Sequence, residues 1–501
     1  MKEKIVPLCL ELRKEQEKRL GVDRLHYYDE ELIFPEGNAV PEGTTEELVA
    51  KAQKMYHELS KETGEFFDFM VEHELFDLET KPGKQTGGYC TFLNTFKAPF
   101  IFSNFNGTSA DVDVLTHEAG HAFEAYTAAK QIPFMDMVFP TSEVAEIHSM
   151  TMEHFAYPWM NAFFGEKADD YRYAHLMSAL EVIPYMVCVD EFQHKVFENI
   201  GMTAKERRAI WHQLELTYMP WRNYDGHKFL EEGGFWMQKQ HIFVNPFYYI
   251  DYALAQICAF QFFERFKKEP EKAWGDYYRL CQAGGSKGYF ALLELAGLKN
   301  PFVDGTVEEV VAGLKPYLKQ KVKYTIRPVK EEDLKKVAEV EALCFPAAEA
   351  AGYEDFMERY KTCKNSFFVA ETEDGEIAGF CNGCCADTDY LADALYHDAT
   401  LHNPDGDYQM IFGLDVNPKF QKQGIGEALM RHMVKSAGER DKKAVVLTCK
   451  DHMIPFYKRI GYEYIELSDS THGGAKWHKM MYVSKKNGKA KGQNREIQKF
   501  L

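Results

Sequence analysis

The 501-residue sequence lacks both a long apolar run and an excess of basic residues. Its nearest approach to a membrane span, residues 252–263, falls short of the roughly 18 apolar residues that a span requires, so we expect a core helix there. The formal net charge is -18, so the chain as a whole has no positive field to attract nucleic acid or an anionic membrane. We therefore expect neither a nucleic-acid-binding protein nor a membrane protein.

The eleven cysteines follow no repeating spacing, and their number is odd. The first residues also lack the apolar core of a secretory signal. Together these absences favour a cytoplasmic protein. The densest group, Cys381, Cys384 and Cys385, has no second pair nearby to complete a structural zinc site, which predicts buried strand residues instead.

The length of the chain argues for more than one domain, because a single hydrophobic core rarely serves so many residues. Residues 1–320 contain long amphipathic runs and few alternating stretches, which predicts a mainly α domain. A lysine-rich connector near Lys321 leads into residues 323–484, where strand and helix patterns alternate and predict an α/β domain. Residues 485–501 are basic and poor in apolar side chains, which predicts a disordered tail.

The mainly α part contains His117, Glu118 and His121 within one predicted helix. The two histidines lie four residues apart, so one helix face can present both of them to a Zn²⁺ ion. Glu118 is then placed to take a proton from a water that the metal has activated. A catalytic zinc ion needs a third protein ligand, and the next predicted helix offers Glu143 or Glu146.

The surrounding stretch, GKQTGGYCTFLNTFKAPFIFSNFNGTSADVDVLTHEAGHAFEAY, resembles the oligoendopeptidase F and thimet oligopeptidase family of zinc peptidases. The resemblance extends from about residue 20 to residue 314. It implies a mainly α catalytic domain that binds one zinc ion per chain and hydrolyses short peptides. It also implies that Glu143 is the third zinc ligand beside the two histidines, and that Glu146 is a carboxylate next to the ligands.

A later stretch, QHIFVNPFYYIDYALAQ, is similar to the histidine and tyrosine loop of the same family. The resemblance assigns catalytic roles to His241, Tyr249 and Tyr252, which would bind the substrate and stabilise the oxyanion. Relatives with the spacing PFYxYxY match Tyr248 and Tyr252 instead, so Tyr248 is a substrate-binding candidate. Which hydroxyl acts on the substrate stays open.

In the α/β part, a predicted strand is followed by Gln421-x-x-Gly424-x-Gly426 and then by an amphipathic helix. Glycines let backbone N–H groups approach a pyrophosphate, and the N-terminus of the helix adds positive potential. The pattern predicts an anion-binding loop.

The stretches GLDVNPKFQKQGIGEALMRHMV and IPFYKRIGY resemble the GNAT acyl-CoA N-acyltransferases, in particular the arylalkylamine N-acetyltransferase-like branch. The resemblance implies that acetyl-CoA binds here and that an amine, which the sequence does not identify, accepts the acetyl group. It implies that the backbone at Val416 pairs with the pantetheine arm and that the Tyr457 hydroxyl protonates the CoA thiolate. The residues that would hold the pyrophosphate are Gln421, Gln423, Gly424, Ile425 and Gly426.

One departure from this pattern concerns the acceptor. Relatives that acetylate amines carry His-x-His on the strand before the loop, where this sequence has Met410 and Phe412. Neither side chain can accept a proton. If a base removes the proton of the amine, it is water or Asp415.

The two motif sets together predict a zinc oligopeptidase joined to an acetyl-CoA-dependent N-acetyltransferase. The alternative is an acyltransferase or acetyl-CoA-sensing protein whose peptidase-like part is a scaffold.

Relatives of the peptidase family carry a helical segment ahead of the matched region, and this segment forms one wall of a narrow cleft. Because this sequence begins close to the matched region, we expect a more open cleft with slow hydrolysis and relaxed selection for peptide length. Otherwise we expect self-association, or a partner subunit that covers the open cleft.

Overall fold

The structure is a computed structural model that describes residues 1–318, 322–346, 350–391, 395, 398, 401–421, 423–470 and 476–483. The chain divides into two compact units, and the division falls between Leu318 and Val322. Unit 1 is mainly helical and unit 2 is an α/β sheet domain, so the predicted fold class is confirmed. The predicted basic tail lies outside the described residues.

Helices make up most of unit 1, and a small sheet lies between α3 and α4 in the chain. The helices are α1 (Ile5–Leu20), α2 (Thr45–Leu59), α3 (Lys61–Glu72), α4 (Ala110–Gln131), α5 (Ser142–Phe155), α6 (Met160–Phe164), α7 (Ala168–Glu198), α8 (Ala204–Tyr218), α9 (His241–Val244), α10 (Tyr249–Lys268), α11 (Pro270–Ala283), α12 (Tyr289–Leu295) and α13 (Thr306–Leu314). The strands are β1 (Phe76–Glu79), β2 (Tyr89–Leu93) and β3 (Ala98–Phe105). The central strand, β3, runs parallel to β1 and antiparallel to β2.

The helix α4 begins at a turn that one carboxylate holds. Asp111 accepts hydrogen bonds from the backbone N–H groups of Asn106 (2.9 Å) and Gly107 (2.8 Å). Ser109, the residue just before the helix, has helical backbone angles, and its side chain makes no capping bond. The start of α4 is thus stabilised by an acidic side chain in its first turn, where negative charge favours the helix dipole.

Gly120 lies between the two histidines of α4 and sets how closely α5 approaches. A Cβ atom at this position would lie 2.6 Å from the Cα of Ser149 and 2.8 Å from the carbonyl oxygen of His148. Only a residue without a side chain allows the backbones of α4 and α5 to come this close. The close approach brings Glu146, one turn before Ser149, next to the histidines.

The helix α10 packs against α5 and α7 and contains the apolar run predicted to be a core helix. Ala253, Ile257 and Phe260 are fully buried, which confirms that prediction. In the part of the chain that the structure describes, no helix is both long enough and apolar enough to cross a membrane.

Unit 2 is built on a seven-stranded sheet in the order β4-β5-β6-β7-β8-β10-β9. All neighbouring strands are antiparallel except β7 and β8, which are parallel. The strands are β4 (Tyr324–Pro328), β5 (Phe367–Thr372), β6 (Ile377–Ala386), β7 (Tyr408–Val416), β8 (Ala444–Cys449), β9 (Glu463–Leu467) and β10 (His478–Val483). The helices are α14 (Leu334–Cys344), α15 (Tyr353–Cys363), α16 (Ile425–Glu439) and α17 (Ile454–Ile460).

Both faces of this sheet are covered, as the alternation along β5 illustrates. Phe368 and Ala370 belong to the core formed with α16 and α17, whereas Phe367 and Val369 belong to the core formed with α14 and α15. All ten residues of β6 are buried, including its three cysteines, as predicted.

Candidate metal centre and acyl-CoA site

Three side chains of unit 1 converge on one point between α4 and α5. The Nε2 atoms of His117 and His121 each lie 3.4 Å from Oε2 of Glu146. The three ligand atoms lie within 4.8 Å of one another, and no other such group occurs among the described residues. Two imidazole nitrogens and one carboxylate oxygen form the donor set of many catalytic zinc sites, so these residues fit a zinc ion.

The structure does not bring Glu143, the predicted third ligand, into this group. Glu143 lies in the first turn of α5, and its carboxylate accepts a hydrogen bond from the hydroxyl of Thr141 (2.8 Å). Glu146, predicted to stand next to the ligands, is the carboxylate that meets both histidines. The two glutamates lie on adjacent turns of one helix, and the approach of α5 at Gly120 decides which of them faces α4.

The charge of Glu146 is set by its neighbours. Burial raises the pKa of this carboxyl, but His121 and His117 outweigh burial and hold the pKa well below its usual range. Its second oxygen, Oε1, accepts a hydrogen bond from the Tyr248 hydroxyl (2.5 Å). Glu146 is therefore ionised, and its orientation is fixed: Oε2 faces the two histidines, and Oε1 is bound by the Tyr248 hydroxyl.

A chain of buried polar groups supports His117 from the other side. Its Nδ1 atom lies 2.5 Å from Oε1 of Glu153, whose Oε2 lies 2.9 Å from Nε2 of His175. The Nδ1 atom of His175 is 2.6 Å from the Tyr157 hydroxyl. Burial raises the pKa of Glu153, but its bonds to the two histidines outweigh burial and lower the pKa. An ionised Glu153 fixes Nδ1 of His117 as the protonated nitrogen and leaves Nε2 free to bind a metal.

Our sequence interpretation missed Glu153 and His175. Glu153 lies seven residues after Glu146, so both carboxylates fall on one face of α5, and this spacing was the available signal. His175 comes from α7 and had no local signal.

The four predicted substrate residues form one aromatic cluster. The ring of His241 lies 6.0 Å from Tyr248, 5.2 Å from Tyr249 and 6.1 Å from Tyr252, measured between ring centroids. Burial raises the pKa of Tyr252 most, and the charges of Glu146 and Glu118 raise it further. Tyr252 therefore lies near the candidate metal centre, where the charges of both carboxylates act on its hydroxyl.

Tyr249 differs from the other two tyrosines. It is buried, and its ring packs edge-on against Tyr185 at 5.7 Å. Tyr248 and Tyr252 are only partly buried, and Tyr248 bonds directly to Glu146. The side chains of Tyr248 and Tyr252 thus lie at the candidate metal centre, whereas the side chain of Tyr249 is buried in the core.

In unit 2, an opening begins where β7 and β8 separate. The last pair between them is Met410 with Val446. From Ile411 to Val416, β7 remains paired with β6, but within the described residues no strand pairs with its other edge. The backbone groups of this edge are the ones that a bound extended molecule would meet.

The predicted pyrophosphate loop lies next to this opening. Gly424 has a φ of 84° and directly precedes α16, and a Cβ atom there would touch nothing within 4 Å. Gln421 donates from Nε2 to the carbonyl oxygen of Val416 (3.1 Å), and Gln423 accepts from the backbone N–H of Val322 (2.7 Å). Ile425 is buried. Open space therefore adjoins Gly424, whereas a Cβ atom on Gly426 would lie 3.5 Å from Cγ2 of Val416. Both glutamine side chains are engaged in bonds within unit 2.

Tyr457, the predicted proton donor to the thiolate, lies on α17 with its ring 5.7 Å from that of Tyr462.

The two residues that replace the histidine pair of the relatives are Met410 and Phe412. Met410 is fully buried, and the guanidinium of Arg359 lies 5.1 Å from the ring centre of Phe412. Asp415 is also buried, on the same strand.

Residues 9–311 match peptidase family M3, and residues 334–462 match the acetyltransferase (GNAT) family. The first match covers more than half of the sequence. The chain belongs to peptidase family M3 and carries a GNAT-family domain after its peptidase domain.

Individual relatives agree with both matches. The chain is 23% identical over 312 residues to an oligoendopeptidase F homolog from Borreliella burgdorferi, covering 60% of this chain and 52% of that relative. It is 27% identical over 112 residues to serotonin N-acetyltransferase from Mesocricetus auratus, covering 22% and 53%. A solved structure of PZ peptidase A with an inhibitor shares 51% identity at a TM-score of 0.62, covering 63% of this chain and 56% of that one. The chain spans about half the length of the curated relatives it matches.

Proposed function

We propose that unit 1 is a zinc-dependent oligopeptidase that hydrolyses short peptides. The convergence of His117, His121 and Glu146 on one point carries this proposal. A zinc ion held there would polarise a peptide carbonyl and acidify a water molecule. Names such as oligoendopeptidase F and PZ peptidase A among the similar proteins support the choice of peptides as substrates.

The residues of the chain supply the rest of the chemistry. Glu118, next to His117 on α4, takes the proton of the attacking water and passes it to the leaving nitrogen. The hydroxyls of Tyr248 and Tyr252 donate hydrogen bonds to the oxyanion that forms on the peptide carbonyl. Burial lowers the pKa of His241, which keeps it neutral beside the tyrosines, where it contacts the substrate.

Metal analysis combined with Glu118→Gln tests this proposal. The wild type should contain about one zinc ion per chain and hydrolyse a quenched fluorescent peptide. Glu118→Gln should keep the zinc and lose about 10²- to 10⁴-fold in hydrolysis, since the proton acceptor is gone. Equal hydrolysis by the variant contradicts the role of Glu118. A chain without zinc and without hydrolysis supports the alternative of an acetyl-CoA-sensing protein on a peptidase scaffold.

For unit 2, we propose an acetyl-CoA-dependent N-acetyltransferase that acetylates an amine. The opening between β7 and β8, with Gly424 at the start of α16, carries this proposal. The free edge of β7 up to Val416 pairs with the pantetheine arm, and the backbone N–H groups of the Gly424–Gly426 turn bind the pyrophosphate. Tyr457 protonates the departing thiolate.

A pair of substitutions at Gly424 isolates the effect of charge. Its φ of 84° strains most side chains, but asparagine tolerates this backbone better than other residues. Gly424→Asn therefore serves as the control for Gly424→Asp, which has the same shape and one negative charge. Calorimetry should show that the aspartate variant binds acetyl-CoA at least about tenfold more weakly than the asparagine variant. Equal affinities contradict the pyrophosphate site.

We also propose that the protein is cytoplasmic. All eleven cysteines lie among the described residues and none forms a disulfide, which suits a reducing compartment.

A further inference from the structure

The tyrosine that bonds to Glu146 follows a strained point in the backbone. Residues 245–248 form a turn, in which the backbone N–H of Tyr248 donates to the carbonyl oxygen of Asn245 (3.2 Å). Phe247, the third residue of this turn, has a φ of 66°. Glycine or asparagine normally takes such a position, because the left-handed backbone conformation is strained for a bulky side chain. The sequence of the turn does not favour this conformation, so a contact from elsewhere has to hold it.

The helix α7 supplies that contact through Gln193. Its Oε1 atom accepts a hydrogen bond from the backbone N–H of Phe247 (3.1 Å). Gln193 is only 2% exposed, so the packing around α7 fixes its side chain. Within the described residues, its Nε2 atom is buried without a hydrogen-bond partner. The polar function of this buried amide in the structure is therefore that of an acceptor for the strained turn.

Two further side chains of α7 contact the ring of Phe247. Its centroid lies 4.9 Å from the ring of His194 and 5.0 Å from the ring of Phe197. These distances are typical of favourable aromatic pairs. We name Gln193, His194 and Phe197 the α7 clamp, because together they contact both the backbone and the side chain of Phe247.

The backbone of Phe247 sets the direction in which the next residue leaves the turn. The Tyr248 hydroxyl lies at the end of a long side chain and donates to Oε1 of Glu146 (2.5 Å). A rotation about φ of Phe247 therefore moves this hydroxyl away from the candidate metal centre. A displacement of about 1 Å in a catalytic group can cost about 100-fold in rate.

We propose that Gln193 is a positioning residue for Tyr248 and acts through the backbone of Phe247. The proposal rests on the peptidase function proposed for unit 1. The α7 clamp keeps Phe247 in its left-handed conformation, and this conformation places the Tyr248 hydroxyl beside Glu146. Loss of the Gln193 bond should then slow the chemical step and loosen the orientation of Glu146, while peptide binding changes little.

Peptide hydrolysis by Gln193→Met tests this role. Methionine has a similar volume but cannot accept the hydrogen bond from Phe247. We expect kcat to fall at least about tenfold and KM to stay within about threefold of the wild type, because the lost interaction acts in the transition state. Gln193→Glu keeps an oxygen at the same position and should restore most of the activity. Gln213→Met makes the same change at an exposed position of α8 and should behave as the wild type.

A double-mutant cycle distinguishes positioning of Tyr248 from a general structural role. Tyr248→Phe removes the hydroxyl, so its exact position no longer matters for catalysis. In the Tyr248→Phe background, Gln193→Met should lower kcat by less than about twofold. A further loss as large as in the wild-type background contradicts action through Tyr248.

Two readouts do not depend on hydrolysis. Because the Tyr248 hydroxyl orients Glu146, Gln193→Met and Tyr248→Phe should each weaken zinc binding by about tenfold in competition with a chelator. Hydrogen exchange in the wild type tests the clamp without any substitution, since a hydrogen bond to a buried acceptor should protect the amide of Phe247. Exchange at the rate of an unfolded peptide contradicts the clamp, even if Gln193→Met does not fold.

The peptidase function and the positioning role fail by different results. Wild-type protein that hydrolyses no peptide removes the peptidase function and the positioning role with it. Hydrolysis by Gln193→Met at the wild-type rate, with wild-type zinc affinity, removes the positioning role alone.

Discussion

Units 1 and 2 both bury carboxyl groups at their candidate sites but hold them in opposite charge states. In unit 1, burial raises the pKa of Glu146 and Glu153, yet the imidazoles beside them outweigh burial and lower it. In unit 2, burial is the main reason that the pKa of Asp415 rises to about 9, and the neighbouring Glu341 carboxyl raises it further. Imidazoles beside a buried carboxyl thus outweigh burial and keep the carboxyl charged, whereas a second carboxyl adds to burial and favours a bound proton.

In unit 1, we expect the largest effect from a substitution that removes the charge of the candidate ligand Glu146. Glu146→Gln keeps the shape of the side chain but removes the charge that faces His117 and His121. Zinc affinity, measured by competition with a chromophoric chelator, should fall by more than about 100-fold, and peptide hydrolysis should be lost.

Glu143→Gln is the matched control, because it makes the same change one turn earlier on α5. It should keep wild-type zinc affinity. A larger loss in Glu143→Gln than in Glu146→Gln would restore the ligand predicted from the sequence.

The buried support of His117 should have a smaller effect. Glu153→Gln can still accept a hydrogen bond from Nδ1 of His117 but no longer carries a charge. Loss of such a supporting carboxylate typically costs about 10- to 100-fold in metal affinity. The same chelator competition measures the loss. Unchanged zinc affinity would show that Glu153 serves packing alone.

Gly120→Ala tests whether helix spacing sets the geometry of the metal centre. The added Cβ would lie 2.6 Å from the Cα of Ser149, so α4 and α5 must separate. Thermal unfolding should reveal a loss of about 1–3 kcal/mol, accompanied by weaker zinc binding. Gly275→Ala is the control, since its nearest neighbour is a flexible arginine side chain at 3.7 Å. If both variants bind zinc as the wild type does, the close approach is not required.

Measured per pH unit, the smallest effect concerns the pH dependence of stability in unit 2. Asp415 has a pKa of about 9 when folded and about 4 when unfolded. Its contribution to stability is full below about pH 4 and is lost as the pH rises through about 9, by at most about 1.4 kcal/mol per pH unit. Asp415→Asn cannot ionise, so ligand-free protein should unfold with a shallower pH dependence. The exposed control Asp405→Asn should keep the wild-type slope, and equal slopes in all three proteins would contradict the raised pKa.

Local patterns predicted the elements that carry each site, but not every side chain that completes them. The spacing of His117 and His121 predicted a shared helix face, and α4 presents them that way. The choice between Glu143 and Glu146 depends on the contact at Gly120, which is tertiary. Glu143 and Glu146 lie one turn apart on α5 and fit the sequence pattern equally well, so the pattern cannot distinguish them.

In unit 2, the strand, the glycine loop and the following helix were all predictable from sequence. The buried polar group formed by Glu341, Arg359, Asn382 and Asp415 was not, because its members come from two helices and two strands that only the folded sheet brings together. Single buried acids such as Glu341 carry no local signal. Asp415 was considered only because the histidine pair of the relatives was missing.

The three residues around the candidate metal position lie within about 30 residues of one another, so their assembly closes one short loop at little cost in chain entropy. Tyr248 joins them from 102 residues beyond Glu146. The metal-binding half of the site therefore has low contact order, and the substrate-facing half depends on a much later part of the chain. Because contacts between residues close in sequence form faster, we expect the metal-binding half to form before the substrate-facing half during folding. Zinc uptake by refolding protein should precede the return of hydrolysis, because α4 and α5 can pair before α10 docks against them.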